Sequence, residues 1–502
     1  MIVRFLRALH RNTRWTLLIA ALAALIPLYP AHPQSLARRL DRVLDQPPFN
    51  RASWGVVLMD SAGKVLFERN AERFFVPASN TKLVVSAVAS ALLPPDFVAH
   101  TDVYGAGVLE AGVLRGDLVI YGRGDPTFDK RCYDVDTLAL GACDARWMRI
   151  EAIADSLAAR GLHQVAGAIV GDGSYFEPHV VHDAWETYDL NWWYAAPVSG
   201  LGFNDNSVDI TWRAGSSVGA PAAITFDPDI DYFQFENRTS TVAAGVRRTI
   251  DFFREPGTLR IWAEGSVPLD TASHREYFAF PDPNHYFATA LRTVLARRGM
   301  SVAGPTLSTT DSTRYREARE APALATVASR PLSDILFPIL NSSQNWFAEM
   351  LLKILGREKA GEGSWDAGIR VERQFLMDSV KVDSTAFHLH DGSGLTTHNL
   401  ISPRALAQIL AFTWRHPNRA RFIRALPRAG APGSLKDRFR GSPLDGRVLG
   451  KTGSIQHVNS LSGYVERPRG GPLVFSIVLN HHTARYADAL KQIDSLVVEM
   501  AK

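Results

Sequence analysis

Cysteine is scarce in this chain: Cys132 and Cys143 are the only two among 502 residues. Two cysteines cannot build a structural zinc site alone, and they can close at most one small disulfide loop, which an oxidising compartment would allow. Long apolar runs are missing as well. Trp15 to Ile26 is the longest, too short to span a bilayer comfortably. Beyond Arg4, Arg7, Arg11 and Arg14 no basic run with interleaved aromatics occurs, and the formal charge is only +4, so nucleic acid is not an expected partner. His388, His390 and Asp391 stand close together without a further ligand set, so neither metal nor cofactor is expected. With 46% hydrophobic and 21% charged residues the chain is not disordered either.

What is present is enough sequence for two or three domains. Residues 1–33 read as a signal peptide: four arginines, the short apolar core, then Pro27, Pro30 and Pro33. No lipid-acceptor cysteine follows, and the body is expected to be exported. An amphipathic helix spans Leu36 to Leu44, then a hairpin runs from Gly55 through a turn at Asp60–Gly63 to Phe67. A helix starts at Ser79 and runs through Leu93. In the last third, Ser343 to Leu355 reads as a helix ending at Gly356, and Ser402-Pro403 opens another. Strands follow near Val448, at Leu461–Val465 and at Leu473–Leu479, before a final helix capped by Thr483.

The middle has another character. Leu157-Ala-Ala-Arg-Gly161 with Val165, and Leu295-Ala-Arg-Arg-Gly299 with Val302, each read as helix, glycine cap and short strand. The expected architecture is a discontinuous α/β catalytic domain (34–98 and 323–502) carrying two insertions. One is an αβ domain (99–180 and 275–322), the other a β-rich unit (181–274).

Three motifs appear in order: Ser79-Asn80-Thr81-Lys82, Ser343-Gln344-Asn345 and Lys451-Thr452-Gly453. Positions i and i+3 of a helix share a face, so the Lys82 amine can reach the Ser79 hydroxyl. An ordinary lysine cannot be a base near neutral pH, so burial and a second cation, Lys451, are required to lower its pKa. Ser61-Ala62-Gly63-Lys64 matches the first pattern too, but Gly63 places it in a turn. Ser343 is expected to relay a proton between Lys82 and a leaving amine, and Asn345 to bind the substrate's peptide group. Glu349 reads as a structural acid of that helix. Lys451 and Thr452 are expected to hold a substrate carboxylate, Gly453 to leave room for close approach, and the Ser454 N–H to complete an oxyanion hole with that of Ser79.

On these motifs the chain resembles the class C low-molecular-mass penicillin-binding proteins, the D-alanyl-D-alanine carboxypeptidase/endopeptidase family. Gly122-Arg-Gly-Asp125, Gly171-Asp-Gly-Ser-Tyr-Phe176, Tyr194-Ala-Ala-Pro-Val-Ser199, Asp391-Gly-Ser-Gly-Leu395 and Leu426-Pro are similar to it too. The resemblance implies a penicillin-recognising α/β domain with two insertions, and attack by Ser79 on the D-Ala-D-Ala carbonyl of peptidoglycan stem peptides. It also implies acylation by β-lactam antibiotics. An acid of the inserted domain would bind the amino group of the stem's third residue; Asp172, with Phe176, is the candidate, and Ile455 borders the same pocket. Gln344 stands where the family commonly has Asp. A serine β-lactamase would need a deacylating base that is not evident, a transpeptidase shares the same motifs, and a wall-binding scaffold would not need every catalytic side chain. Gly392-Ser393-Gly394 is only superficially an esterase elbow.

Overall fold

The computed structural model describes residues 35–128 and 147–502; Cys132, Cys143 and the N-terminal apolar segment lie outside the described residues. Alternation along Trp54–Met59 assigns its side chains to two opposite faces of one sheet. Five antiparallel strands make that sheet, in the order Val448–Ile455, Val458–Val465, Leu473–Asn480, Ser53–Asp60, Val65–Arg69. Val56, Leu58, Phe475 and Ile477 face the helices Leu36–Leu44 and Tyr486–Met500, burying Leu40, Leu44, Ile493 and Leu496. Val57, Met59, Val474 and Val478 face the opposite way, into a helical core. That core holds Lys82–Leu92, Leu332–Leu340, Asn345–Ala360 and Pro403–Arg415. Ser402 caps the last of these by accepting from the Ala405 N–H at 3.1 Å, with Pro403 in its first turn.

A seven-stranded sheet forms the body of the insertion, built on the long hairpin His100–Glu110 and Val113–Gly122. The two similar segments noted in the sequence are paired in space. Helices Met148–Ala159 and Pro283–Arg297 end before Gly161 and Gly299, both at positive φ, and Gln164–Val165 then lies parallel to Ser301–Val302. Two three-stranded sheets, all within residues 207–279, make the β-rich part.

Several boundaries differ from expectation. Residues 181–206 add no strand to those sheets beyond a single bridge from Trp192 to Phe278, and Trp185, Ala195, Ala196 and Val198 pack into the catalytic core. Ala325–Ala328 pairs with His100–Glu110 and so extends the insertion's sheet. The helix expected to stop at Gly356 continues to Ala360 and is capped by Gly361 at φ 78°. Gly356 serves close packing instead, since a Cβ there would lie 2.8 Å from the Gly368 nitrogen on the next helix. The final helix begins at Tyr486 after Arg485, not at a Thr483 cap.

Candidate active site

Ala78–Thr81 is a single 3₁₀ turn leading into the helix Lys82–Leu92, rather than the first turn of an α-helix as expected. In 3₁₀ geometry residues i and i+3 eclipse, so Ser79 and Lys82 stack directly and their side chains meet at 2.9 Å. The decoy Ser61 and Lys64 sit in the hairpin turn, where Asp60 accepts from the Ala62 and Lys64 N–H groups and Gly63 is at φ 94°.

The strands Val448–Ile455 and Val458–Val465 converge on the Ser79 turn. Asn80 donates to the Lys451 carbonyl (3.2 Å) and to Ser460 Oγ (2.5 Å), whose hydroxyl donates to the Pro77 carbonyl (2.8 Å). Gly453 faces this junction: a Cβ there would lie 2.2 Å from Ser460 Oγ and 2.8 Å from the Pro77 oxygen. Its missing side chain therefore lets the strand dock on the Ser79 turn.

The Lys82 amine is fully buried and has three neighbours: Ser79 Oγ at 2.9 Å, Asn345 Oδ1 at 2.7 Å and the Ser393 carbonyl at 2.7 Å. Burial lowers its pKa to about 7, against the raising influence of Glu349 and Asp391. A neutral amine has two N–H bonds, and the two oxygens at 2.7 Å, which can only accept, take both. Its lone pair is left facing the Ser79 hydroxyl, the geometry a general base requires.

Ser343 precedes the helix Asn345–Ala360 and is held at φ 62°, a conformation uncommon for a non-glycine residue. There its hydroxyl accepts from Lys451 Nζ at 2.8 Å; the same amine donates to the Thr452 carbonyl at 2.7 Å. Lys451 is wholly buried, and burial first and the Lys82 charge second hold its pKa well below the ordinary lysine value. Lys451 thus faces Ser343, and the neighbouring Thr452 is half-buried. Gln344 turns the other way and donates to Asp205 at 2.7 Å, and the Asn345 amide donates to the Tyr194 carbonyl at 2.7 Å. Glu349 ties its helix to the Gly392–Ser393 turn and to Trp365 of the next helix.

A cleft of about 610 Å³ opens over Ser79, Ser343 and Asn345, bounded by Gly394, Leu395, Thr397 and the strand end Ser454–His457. Its far wall is Glu186, Asp189, Trp193 and Tyr194. Asp172 and Phe176 are not on it, which corrects the expected amine-binding pair. Asp172 is buried at the end of a strand, where it accepts from Arg319 at 2.5 Å and from the Ser174 N–H at 2.9 Å. Phe176 is buried in the core, over Gly124 and Gly363. Glu186 and Asp189 were missed because residues 181–274 read as one β-rich unit; the aromatic run Trp192-Trp193-Tyr194 was the available signal. Among the described residues no group of three or more His, Cys, Asp or Glu is placed to hold a metal ion.

Residues 36–500 match the D-Ala-D-Ala carboxypeptidase 3 (S13) family. The chain belongs to that family. Within it, the chain is 31% identical over 496 residues to the D-alanyl-D-alanine carboxypeptidase of Actinomadura sp. (strain R39), covering 97% of this chain and 88% of the relative. It is 22% identical over 428 residues to the D-alanyl-D-alanine carboxypeptidase DacB of Haemophilus influenzae, covering 84% and 83%. The crystal structure of penicillin binding protein 4 (dacB) from Haemophilus influenzae superposes with a TM-score of 0.78 at 21% identity, over 92% of this chain and 97% of that one. The S13 fold therefore extends through the insertions as well as the catalytic sheet.

Proposed function

We propose that Ser79 is the nucleophile of a D-Ala-D-Ala carboxypeptidase acting on peptidoglycan stem peptides outside the cytoplasmic membrane, and that penicillins acylate the same hydroxyl. The reaction class follows from membership of the S13 family. The residue roles rest on one observation: Ser79, Asn345 and Ser393 share the single buried amine of Lys82. Lys82 takes the Ser79 proton as Oγ attacks the carbonyl of the penultimate D-alanine. The Ser79 and Ser454 N–H groups receive the developing oxyanion. Collapse breaks the peptide C–N bond, and Ser343, backed by Lys451, passes a proton to the departing amine of the terminal D-alanine. Water then cleaves the Ser79 ester.

Asn345 and the Thr452–Ser454 strand edge align the peptide. Asp189, with Glu186 beside it on the cleft wall, takes the role first assigned to Asp172: it binds the ammonium group of the stem's third residue. A substrate cross-linked through that residue would lie along the same wall, which makes endopeptidase action a second product of one site. Export is supported by the basic and apolar residues 1–33; among the described residues no helix is long and apolar enough to cross a membrane.

A fluorescent penicillin tests the assignment. Covalent labelling that survives Ser61→Ala and vanishes in Ser79→Ala, with D-alanine released from a pentapeptide, is the expected result. Rapid nitrocefin turnover with the pentapeptide intact would instead make the protein a β-lactamase, and an unlabelled wild type would make it a scaffold.

A further inference from the structure

Behind Lys82, on the side away from the cleft, lies a group of buried carboxyls that the acyl-transfer steps do not use. Glu349 is four residues beyond Asn345 on one helix, so the two side chains share a face. Its Oε1 accepts from the Ser393 N–H at 2.7 Å; its Oε2 accepts from the Gly392 N–H at 3.0 Å and from Trp365 Nε1 at 2.8 Å. The carbonyl of that same Ser393 is one of the two oxygens holding the Lys82 amine. One helix therefore grips Lys82 twice, directly through Asn345 and indirectly through Glu349 and the Ser393 peptide.

The turn carrying Ser393 has no slack. A Cβ on Gly392 would lie 2.8 Å from the Ala348 carbonyl, and one on Gly394, at φ 80°, would lie 2.0 Å from the Ala78 carbonyl next to the nucleophile. Asp391 ties down the other half by accepting from the Gly394 and Thr396 N–H groups, the Asn399 amide and the Trp185 indole. Three N–H donors converge on Glu349, so only an acceptor without hydrogens of its own satisfies them; an amide there would press its NH₂ against one.

We propose that Glu349 is a positioning residue for the catalytic base: its carboxylate fixes the Ser393 carbonyl against Lys82. This rests on Lys82 being the base, as proposed above. The ionisable groups facing Glu349 come from every element around it. They are Lys82 on the nucleophile helix, Asp391 on the turn, Glu372 on the helix Trp365–Phe375 and Lys353 one turn further along its own helix. Lys353 is drawn off by Glu177 at 3.1 Å and by the Trp365 ring face at 3.4 Å, so it does not neutralise Glu349 by direct contact. Burial and the Asp391 charge raise the Glu349 pKa to about 7, in the range where Lys82 also titrates, and the charges of Glu349 and Asp391 raise that of Lys82.

The test is the pH dependence of Ser79 acylation by a fluorescent penicillin in wild type, Glu349→Gln and Trp365→Phe. In wild type the rate should rise with pH through about 7 as Lys82 loses its proton. Glu349→Gln removes a charge that favours protonated Lys82, so the acidic limb should move to lower pH, by on the order of one unit. Its plateau should fall about tenfold or more as the Ser393 carbonyl loosens. Trp365→Phe removes a donor that stabilises the Glu349 anion, so the limb should move the same way by less. A purely structural role would lower the plateau and leave the limb in place, and that result in folded Glu349→Gln overturns the proposal. Should Glu349→Gln not fold, an unmoved limb in Trp365→Phe overturns it. A wild-type rate with no acidic limb would instead remove Lys82 as the base, a separate failure.

Discussion

The Gln344 side-chain amide donates to the Asp205 carboxylate at 2.7 Å and so binds the middle residue of the second motif to the insertion. Asp205 sits in a buried run, Asn204-Asp205-Asn206, whose three φ values of 54°, 55° and 50° are all left-handed. Asn and Asp tolerate that conformation better than other side chains do. Ser343, next to Gln344, is also left-handed, so two uncommon backbone segments brace each other across the junction. Gln344→Leu should destabilise the protein by about 1.5–3 kcal/mol, the range for a hydrogen bond to a charged group, and slow acylation. Denaturant titration and labelling rates measure both; wild-type values in each would show the contact to be idle.

Gly453→Ala should fail for a steric reason unrelated to substrate. The new methyl meets Ser460 Oγ and the Pro77 carbonyl, pushing the third-motif strand off the Ser79 turn. Overpacking of this kind costs about 1–3 kcal/mol. The variant should melt earlier and label slowly even with small β-lactams. Slow turnover of stem peptides alone, with normal melting, would restore the substrate-clearance role.

Glu372 is buried with neither carboxyl oxygen hydrogen-bonded, and burial, then the Glu349 and Asp391 charges, push its pKa well above the ordinary value. The folded state therefore binds a proton that the unfolded state has lost above the usual carboxylate range, so its cost to stability grows as pH rises from that range. Glu372→Met should stabilise the protein at pH 8 by about 1–3 kcal/mol, with the gain shrinking toward pH 5. Thermal unfolding at the two pH values checks the sign; a gain that grows on acidification would mean that Glu372 is ionised in the fold.

Asp189→Asn separates binding from chemistry. Asp189 lines the cleft and accepts from the Tyr194 hydroxyl at 2.9 Å. Losing its charge should raise KM about tenfold for stems whose third residue carries a free amine, with penicillin acylation nearly unchanged. Equal losses for a stem lacking that amine would place the recognition elsewhere.

The five motif side chains were legible because their chemistry constrains spacing within short segments, and the hairpin and first helix because their apolar periodicity is strong. Asp172 was not, because its orientation is set by Arg319, far along the chain. Glu186 and Asp189 were hidden for a related reason: Pro, Gly and aromatic residues mark both short strands and irregular cleft walls. Gly356 illustrates a third limit, since a glycine reads alike as a helix stop and as a site of close helix contact until its neighbour is known.

The strand Ser53–Asp60 hydrogen-bonds along its whole length to Leu473–Asn480, near the opposite end of the polypeptide. Ser79 is thus synthesised long before the strand bearing Lys451 and that closing partner. Assembly of the site is therefore a long-range event, since Lys451 reaches Ser343 on a sheet that joins early and late segments of the chain.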